Sequence, residues 1–238
     1  GSEMCIRDRN RANAEGVGSV ATYPFGRGGF EVSKLEEATA KRYLPAAELS
    51  KLKSSTASNP QCEYARKLFL FSYYCYGISF IDMAMLTAAH IKQMEDGDYI
   101  VYKRQKIKRQ KGVKPISIKI TPAIRQLIGS LQAASPTVDD FLLPIVTRSG
   151  YTGERLYMHI RTRYSKYQKY LRLLAEELGI DFHLTSYVSR HTAAMTLQRN
   201  NIPREVISQM LGHADLETTN IYLDSFDNGV INEAAKVL

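Results

Sequence analysis

Cysteine is scarce in this chain, and long apolar runs are absent. The 238 residues include only Cys5, Cys62 and Cys75, an odd number without metal-ligand spacing, so we expect neither a disulfide framework nor a zinc site. No apolar run approaches the ~20 residues of a membrane span, and no signal-peptide pattern opens the sequence. We therefore expect a cytoplasmic protein that does not enter a membrane.

Acidic residues are missing from one long stretch of the sequence. There is no Asp or Glu between Tyr99 and Val138, and the whole chain carries a net charge of +8. A solvated charged hairpin is one explanation, but so long a stretch without an acid favours a surface that faces phosphate groups. We therefore expect a polyanionic partner. Basic residues crowd the first half of this stretch, namely Lys103, Arg104, Lys106, Lys108, Arg109, Lys111, Lys114 and Lys119.

The segment from Ser189 to Leu223 has the most informative pattern, SRHTAAMTLQRNNIPREVISQMLGHADLETTNIYL. Pro203 suits the first turn of a helix and Gly212 suits the residue just past its end, so PREVISQML predicts a short helix. A second short helix is expected from about Leu216. The helical spacing predicts that three residues of the first helix are buried, namely Val206, Ile207 and Met210.

Three motifs in this segment occur in a specific order and spacing. Arg-His-Thr begins at Arg190, Leu-Gly-His ends at His213, and Thr-Thr-x-x-Tyr-Leu contains Tyr222. Together they resemble the C-terminal signature of the tyrosine recombinases, or phage integrases. The resemblance implies an α+β, mainly helical catalytic domain with a small antiparallel sheet. It also implies that Tyr222 attacks a DNA phosphate, that Arg190 and His213 bind the phosphate oxygens, and that no metal or nucleotide cofactor is required.

A β-hairpin is predicted around the basic loop KRQKIKRQKGVK, because residues 99–102 and 115–120 alternate in the manner of strands. The catalytic lysine of the family lies on such a hairpin, which points to Lys106. Arg104 precedes it by two residues, so both side chains should lie on one face of a strand. The DNA-binding residues expected on this hairpin are Lys103, Lys108, Arg109, Lys111 and Lys114.

Two positions depart from the family's usual residues. Ser79 follows the Gly77 turn where the first catalytic arginine is expected, and Tyr187 replaces the first histidine of His-x-x-Arg. The chain could be an inactive copy, but a similar turn recurs among integrases of Bacteroidetes mobile elements. Arg104 would either supply the charge that Ser79 lacks or bind a DNA phosphate. Tyr187 can still donate a hydrogen bond to a phosphate oxygen.

The apolar periodicity predicts three further helical regions. We expect a helix at residues 45–53, two helices joined at Gly77 within residues 63–86, and one long helix at residues 153–179. The inner stripe of the long helix should contain Tyr157, Ile160, Tyr164, Tyr167, Leu171 and Leu174. The domain organisation that we expect is a cloning or sequencing scar at residues 1–9, a remnant of a core-binding domain with its linker at 10–33, and a catalytic domain at 34–238.

The function implied by the resemblance is site-specific DNA strand exchange by the integrase of a bacterial mobile element. Such an enzyme would associate with the nucleoid and act as a tetramer on double-stranded DNA, being a monomer in isolation. The apolar face of the tail, residues 225–238, would dock on a neighbouring protomer or on its own domain. Two other functions stay open, a DNA-binding relative that has lost cleavage and a type IB topoisomerase-like enzyme.

Overall fold

The computed structural model describes residues 15–16, 43–107 and 114–212. The chain divides into two compact units, residues 1–40 and residues 41–238, and the second contains every element discussed below. None of the helices in the described ranges combines the length and hydropathy of a membrane span. The predicted domain boundaries at residues 9 and 33 stay predictions.

Helices dominate the described part of the second unit, as expected for the predicted α+β, mainly helical class. Their bounds are α1 Ala46–Ser54, α2 Pro60–Tyr74, α3 Phe80–Ala84, α4 Pro122–Ala134, α5 Gly153–Glu177, α6 Ser186–Arg199 and α7 Arg204–Leu211. A short 3-10 helix, Ala88–His90, leads into the sheet. The helices predicted at residues 45–53, 63–86, 153–179 and 203–211 are therefore confirmed within a few residues.

The sheet has three antiparallel strands in the order β1, β2, β3. They are β1 Ile91–Met94, β2 Gly97–Tyr102 and β3 Ile116–Lys119. The predicted hairpin is confirmed, since Tyr102 pairs with Ile116 and Tyr99 with Lys119. The strand β1 was not predicted. Its sequence, IKQM, is short and mostly exposed, so it lacks the apolar alternation that identifies a half-buried strand.

Helix α2 lies at the centre of the core. Its stripe of Leu68, Phe71 and Cys75 is buried, as the helical spacing predicts. Polar contacts also join it to α6, because the hydroxyl oxygens of Ser72 and Ser189 lie 2.8 Å apart in a buried position. Ser72 also donates to the carbonyl oxygen of Ile78 at 2.8 Å. Helix α6 and the turn after α2 are thus held against the same side of α2.

The burial pattern corrects two predicted stripes. On α7 the buried residues are Ile207, Ser208 and Leu211, whereas Val206 is exposed. The prediction for Val206 was wrong because a helix this short packs on only one narrow face. On α5, Tyr157 and Tyr164 are also exposed, although Ile160, Tyr167, Leu171 and Leu174 are buried as predicted. The exposed tyrosines lie beside an open cavity described below.

The turn at Gly77 requires glycine for two reasons. Its φ is +72°, and a Cβ atom placed there would overlap the Cα and Cβ atoms of Arg190. We expect Gly77→Ala to lower the free energy of unfolding by about 3 kcal/mol or more, since αL strain and a backbone clash act together. Urea denaturation followed by circular dichroism measures this change.

The matched control for this substitution is Gly129→Ala. Gly129 lies inside α4 with no atom within 4 Å of an added Cβ, so alanine there should stabilise the protein by about 1 kcal/mol. Equal effects of the two substitutions would contradict the tight approach of Arg190 to the turn.

Candidate active site

Arg190 is a buried arginine at the meeting point of three segments. Its side chain belongs to α6 and is only 4% exposed. One terminal nitrogen donates to the carbonyl oxygen of Gly77 at 3.1 Å, and the other donates to that of Leu211 at 2.6 Å. The guanidinium group therefore joins the turn after α2 to the end of α7. Both contacts fix its plane before any ligand binds.

Arg104 contacts the next carbonyl along the chain. Its Nη1 donates to the carbonyl oxygen of Gly212 at 3.3 Å. The last carbonyls of a helix carry partial negative charge and favour cations. Arg190 and Arg104 thus bind two successive carbonyl groups at the end of α7, those of Leu211 and Gly212. Gly212 has φ +64°, which confirms the predicted left-handed helix stop directly before His213.

The strand argument for Arg104 and Lys106 was wrong. Strand β2 ends at Tyr102, and residues 105–107 form a turn, so the two side chains do not share a strand face. Arg104 is half-buried at the site, whereas Lys106 is exposed in the turn. The predicted DNA-binding residues Lys103 and Lys114 are exposed too. Strand pairing ends before Arg104 because the backbone makes turn contacts there. The Ile107 N–H donates to the Arg104 carbonyl oxygen at 3.2 Å, and the Gln105 N–H donates to Asp82.

A buried acid that the sequence reading missed holds this turn. Asp82, which is 4% exposed, accepts a hydrogen bond from the backbone N–H of Gln105 at 2.7 Å through Oδ1. Its Oδ2 accepts from the hydroxyl of Ser79 at 2.6 Å. The Ser79 hydroxyl also accepts from the Asp82 N–H, so it caps α3. The pattern Ser-x-x-Asp before an apolar run is a capping signal that could have identified this pair.

Ser79 therefore has a structural role at the position where an arginine was expected. Its hydroxyl accepts a hydrogen bond from the Asp82 N–H, which caps α3, and donates one to the Asp82 carboxylate. It also lines a cavity together with Arg104, Tyr187 and Arg190. The structure thus brings four of the sequence-predicted positions to one place. Tyr187 is 55% exposed, and its ring meets that of His191 edge-on at 5.2 Å between centroids.

The cavity has a volume of about 390 Å³ and opens to solvent. One wall is the turn that leads into α3, and another is the exposed face of α5 with Tyr157, Arg161 and Tyr164. Among the described residues, those that line it include three arginines and no Asp or Glu. The cavity is thus suited to an anionic ligand. Within the described ranges, no three His, Cys, Asp or Glu side chains come together as a metal site would require.

Tyr102 is a second phenol near the two arginines, and its environment does not activate it. Burial raises the pKa of Tyr102 well above its usual value, and the nearby Asp82 carboxylate raises it further. Arg190 and Arg104 oppose this increase only in part. The hydroxyl therefore stays protonated and shielded. A nucleophile needs a deprotonated and accessible oxygen, so Tyr102 is not suited to that role.

Several predicted site residues lie outside the described residues. They are the catalytic positions His213 and Tyr222 and the basic positions Lys108, Arg109 and Lys111. The second short helix expected from Leu216 and the tail at 225–238 also lie there. Their roles stay predictions.

Comparison with known proteins identifies the family. The family model of the phage integrases, described as "Phage integrase family", matches residues 42–228, so the chain belongs to the phage integrase family. It is 31% identical over 114 residues to the tyrosine recombinase XerC of Rhodospirillum centenum, covering 48% of this chain and 31% of that protein. It is 43% identical over 54 residues to XerD of Halalkalibacterium halodurans, covering 23% and 18% respectively. The chain thus spans less than a third of these relatives' length.

Solved structures show the same fold. XerA recombinase is 22% identical with a TM-score of 0.56, and the match covers 82% of this chain and 64% of that one. XerH recombinase bound to its difH substrate is 20% identical with a TM-score of 0.57, covering 82% and 53%. A lambda integrase dimer bound to a COC′ core site is 16% identical with a TM-score of 0.54, covering 92% and 72%. The predicted recombinase catalytic fold is confirmed.

Asp82 offers a direct test of how the site is held together. We expect Asp82→Ala to lower the free energy of unfolding by roughly 1.5–3 kcal/mol, because two partly buried donors lose a charged acceptor. The amide hydrogen of Gln105 should also exchange faster. Hydrogen exchange measured by NMR on the intact chain provides both the local and the global readout.

Asp82→Asn is the matched control, because its amide oxygen can still accept from the Gln105 N–H and its amide nitrogen can donate to Ser79. It should restore most of the protection at Gln105. Protection that is the same in all three proteins would show that Asp82 does not hold the turn.

Proposed function

We propose that this protein is a site-specific DNA recombinase that cleaves and rejoins strands through a 3′-phosphotyrosine intermediate. The observation that supports it most is that Arg104 and Arg190 bind two successive carbonyl groups at the end of α7, those of Gly212 and Leu211. His213 is the next residue of the chain. Family membership and the three arginines that line the cavity support the same proposal. Relatives of the same fold have been solved with DNA substrates.

Arg190 would clamp the phosphate that is attacked. Negative charge spreads over the non-bridging oxygens as phosphorus is attacked, and fixed donors stabilise that charge without having to reorganise. A guanidinium group also matches two oxygens at once. Its contacts to Gly77 and Leu211 support a preorganised position. His213 would donate a further hydrogen bond and help to remove the tyrosine proton.

The covalent step needs a nucleophile and a leaving-group acid. The Tyr222 oxygen would form a bond to phosphorus while the bond to the 5′ oxygen breaks, and Lys106 would give a proton to that oxygen. The product is a 3′-phosphotyrosine and a free 5′-hydroxyl. A 5′-hydroxyl from another strand then reverses the step and joins the strands. The exposed position of Lys106 in a turn held by Asp82 is consistent with this role.

Arg104 would replace the arginine that Ser79 does not provide. Both residues line the same cavity as Arg190, so a guanidinium group reaches the region from the turn after β2 rather than from the start of α3. A role in DNA binding alone is the other possibility, since Lys103 and Lys114 lie on the same connection. The two roles differ in the step that they affect.

Assembly and cellular context follow from the DNA substrate. We propose that the protein is a monomer in isolation and a tetramer on double-stranded DNA, with Lys103, Lys108, Arg109, Lys111 and Lys114 binding the backbone. It would then act on the bacterial nucleoid in the cytoplasm, as the integrase of a mobile element. A Tn1549 transposon integrase has the same fold at 13% identity and a TM-score of 0.58, covering 88% of this chain and 70% of that one.

Tyr222→Phe should abolish covalent attachment to DNA and leave binding intact, because only the nucleophilic oxygen is lost. The substrate is a pool of nicked duplexes with randomised sequence around the nick, so that the target site need not be known. Covalent complexes are separated on a denaturing gel, and light scattering of the noncovalent complexes gives the number of chains on the DNA.

A phenylalanine variant that still forms the adduct would place the nucleophile elsewhere. A wild-type protein that binds but never attaches would favour the cleavage-deficient alternative.

Arg104→Ala should reduce the rate of adduct formation by roughly 100-fold at saturating DNA, comparable to losing one oxyanion donor. The matched control is Lys103→Ala, which removes an exposed charge one residue away. It should weaken binding and reduce its salt dependence while the cleavage rate at saturation stays unchanged. If Arg104→Ala behaves like Lys103→Ala in both measurements, Arg104 binds DNA phosphate and does not take part in cleavage.

A further inference from the structure

Among the described residues, the exposed tyrosines are concentrated around one cavity. Tyr157, Tyr164 and Tyr187 are 59%, 37% and 55% exposed, and all three line the cavity that contains Arg190. The helical spacing of Tyr157 and Tyr164 on α5 predicted that both pack in the core, so their exposure needs another explanation. A cluster of accessible rings beside a phosphate clamp indicates a ligand that has both a flat apolar part and an anionic part.

The ring of Tyr164 is fixed in place. It contacts the Phe80 ring at 5.3 Å between centroids, and Phe80 is itself stacked on the buried Tyr167 at 5.1 Å. The hydroxyl of Tyr164 lies 3.1 Å from that of Ser186 and accepts from the side-chain amide of Gln168 at 3.1 Å. A flat ring held at both its face and its hydroxyl is a preorganised surface for stacking.

The charge of the cavity indicates which kind of flat ligand it can bind. Arg104, Arg161 and Arg190 line it, and no acid does within the part of the chain that the structure describes. Arginine and tyrosine together are the side chains that stack on nucleobases, and every base offers a π-face to them. The cavity volume of about 390 Å³ lies in the range of small-molecule sites, roughly 300–1,000 Å³. A single nucleobase is smaller than this cavity.

We propose that this cavity binds one unstacked nucleobase, the base next to the phosphate that Arg190 holds. The inference rests on the proposed function, since it assumes that Arg190 binds a DNA phosphate. Unstacking a base from a duplex costs a few kcal/mol, and enzymes that do so recover this energy by stacking the base between aromatic side chains. Tyr157 and Tyr164 provide such a surface, and Arg161 lies between them on the same face of α5.

The test compares two single-stranded oligonucleotides of equal length, one of thymidines and one of abasic deoxyribose units. Both carry the same number of phosphates, so the ratio of their dissociation constants isolates the contribution of the bases from that of the basic hairpin. We expect the wild-type protein to bind the thymidine strand at least about 5-fold more tightly, which corresponds to ~1 kcal/mol of stacking. Fluorescence anisotropy of end-labelled strands at low salt measures both constants.

Single substitutions then show which residues cause the preference for the thymidine strand. Tyr157→Ala and Tyr164→Leu should each reduce the ratio towards one, whereas Met158→Ala should leave it unchanged. Met158 is the matched control because it is exposed on α5, at 49%, but does not line the cavity. The chain has no tryptophan, so Tyr157→Trp provides a single reporter. Its emission should change with the thymidine strand and stay constant with the abasic strand.

Equal affinity for the two strands would overturn the inference, and so would a preference that survives both tyrosine substitutions. Failure to bind either strand would overturn it as well. These outcomes differ from a failure of the proposed function, which is read from covalent attachment to nicked duplexes. Adduct formation without a base preference rejects only the base-binding cavity. A base preference without any adduct rejects only the cleavage chemistry.

Discussion

The arrangement of the site depends on one buried guanidinium group. Arg190 joins the Gly77 turn to the last carbonyl of α7, and its backbone lies so close to Gly77 that no side chain fits there. An arginine cannot lose its charge in a protein, so a buried one must be matched by acceptors on every side or by an anion. Here the carbonyl groups of Gly77 and Leu211 supply two of the acceptors. The same contacts that join these segments fix the position of the guanidinium group.

The end of α7 connects this interaction to the rest of the site. Two successive carbonyl groups, those of Leu211 and Gly212, receive the two arginines, and the left-handed Gly212 sets the direction of the chain that continues to His213. Asp82 fixes a second part of the site. Its carboxylate accepts from the Gln105 N–H and so holds the turn that carries Arg104 and Lys106. A serine at position 79 is compatible with this arrangement, since it caps α3 and supports Asp82.

Much of the fold could be predicted from the sequence, because helix periodicity and the Pro203 and Gly212 signals are local. The placement of Arg190 and Arg104 beside Ser79 could be suspected only through the family resemblance, since their contacts join residues more than a hundred positions apart. Periodicity misassigned Tyr157 and Tyr164, because a helical face that lines a cavity has the same spacing as one that packs in a core. It also extended a strand through Arg104, where the backbone forms a turn instead. Asp82 was missed although its capping pattern was present in the sequence.

We propose that the two arginines that bind the end of α7 hold a DNA phosphate for attack by Tyr222. The most direct measurement is to trap the covalent complex on nicked DNA, digest both components and identify the modified peptide by mass spectrometry. The account predicts a nucleotide attached through its 3′ phosphate to Tyr222, in a peptide that follows Gly212. Attachment to any other tyrosine, or a 5′ linkage, would contradict it.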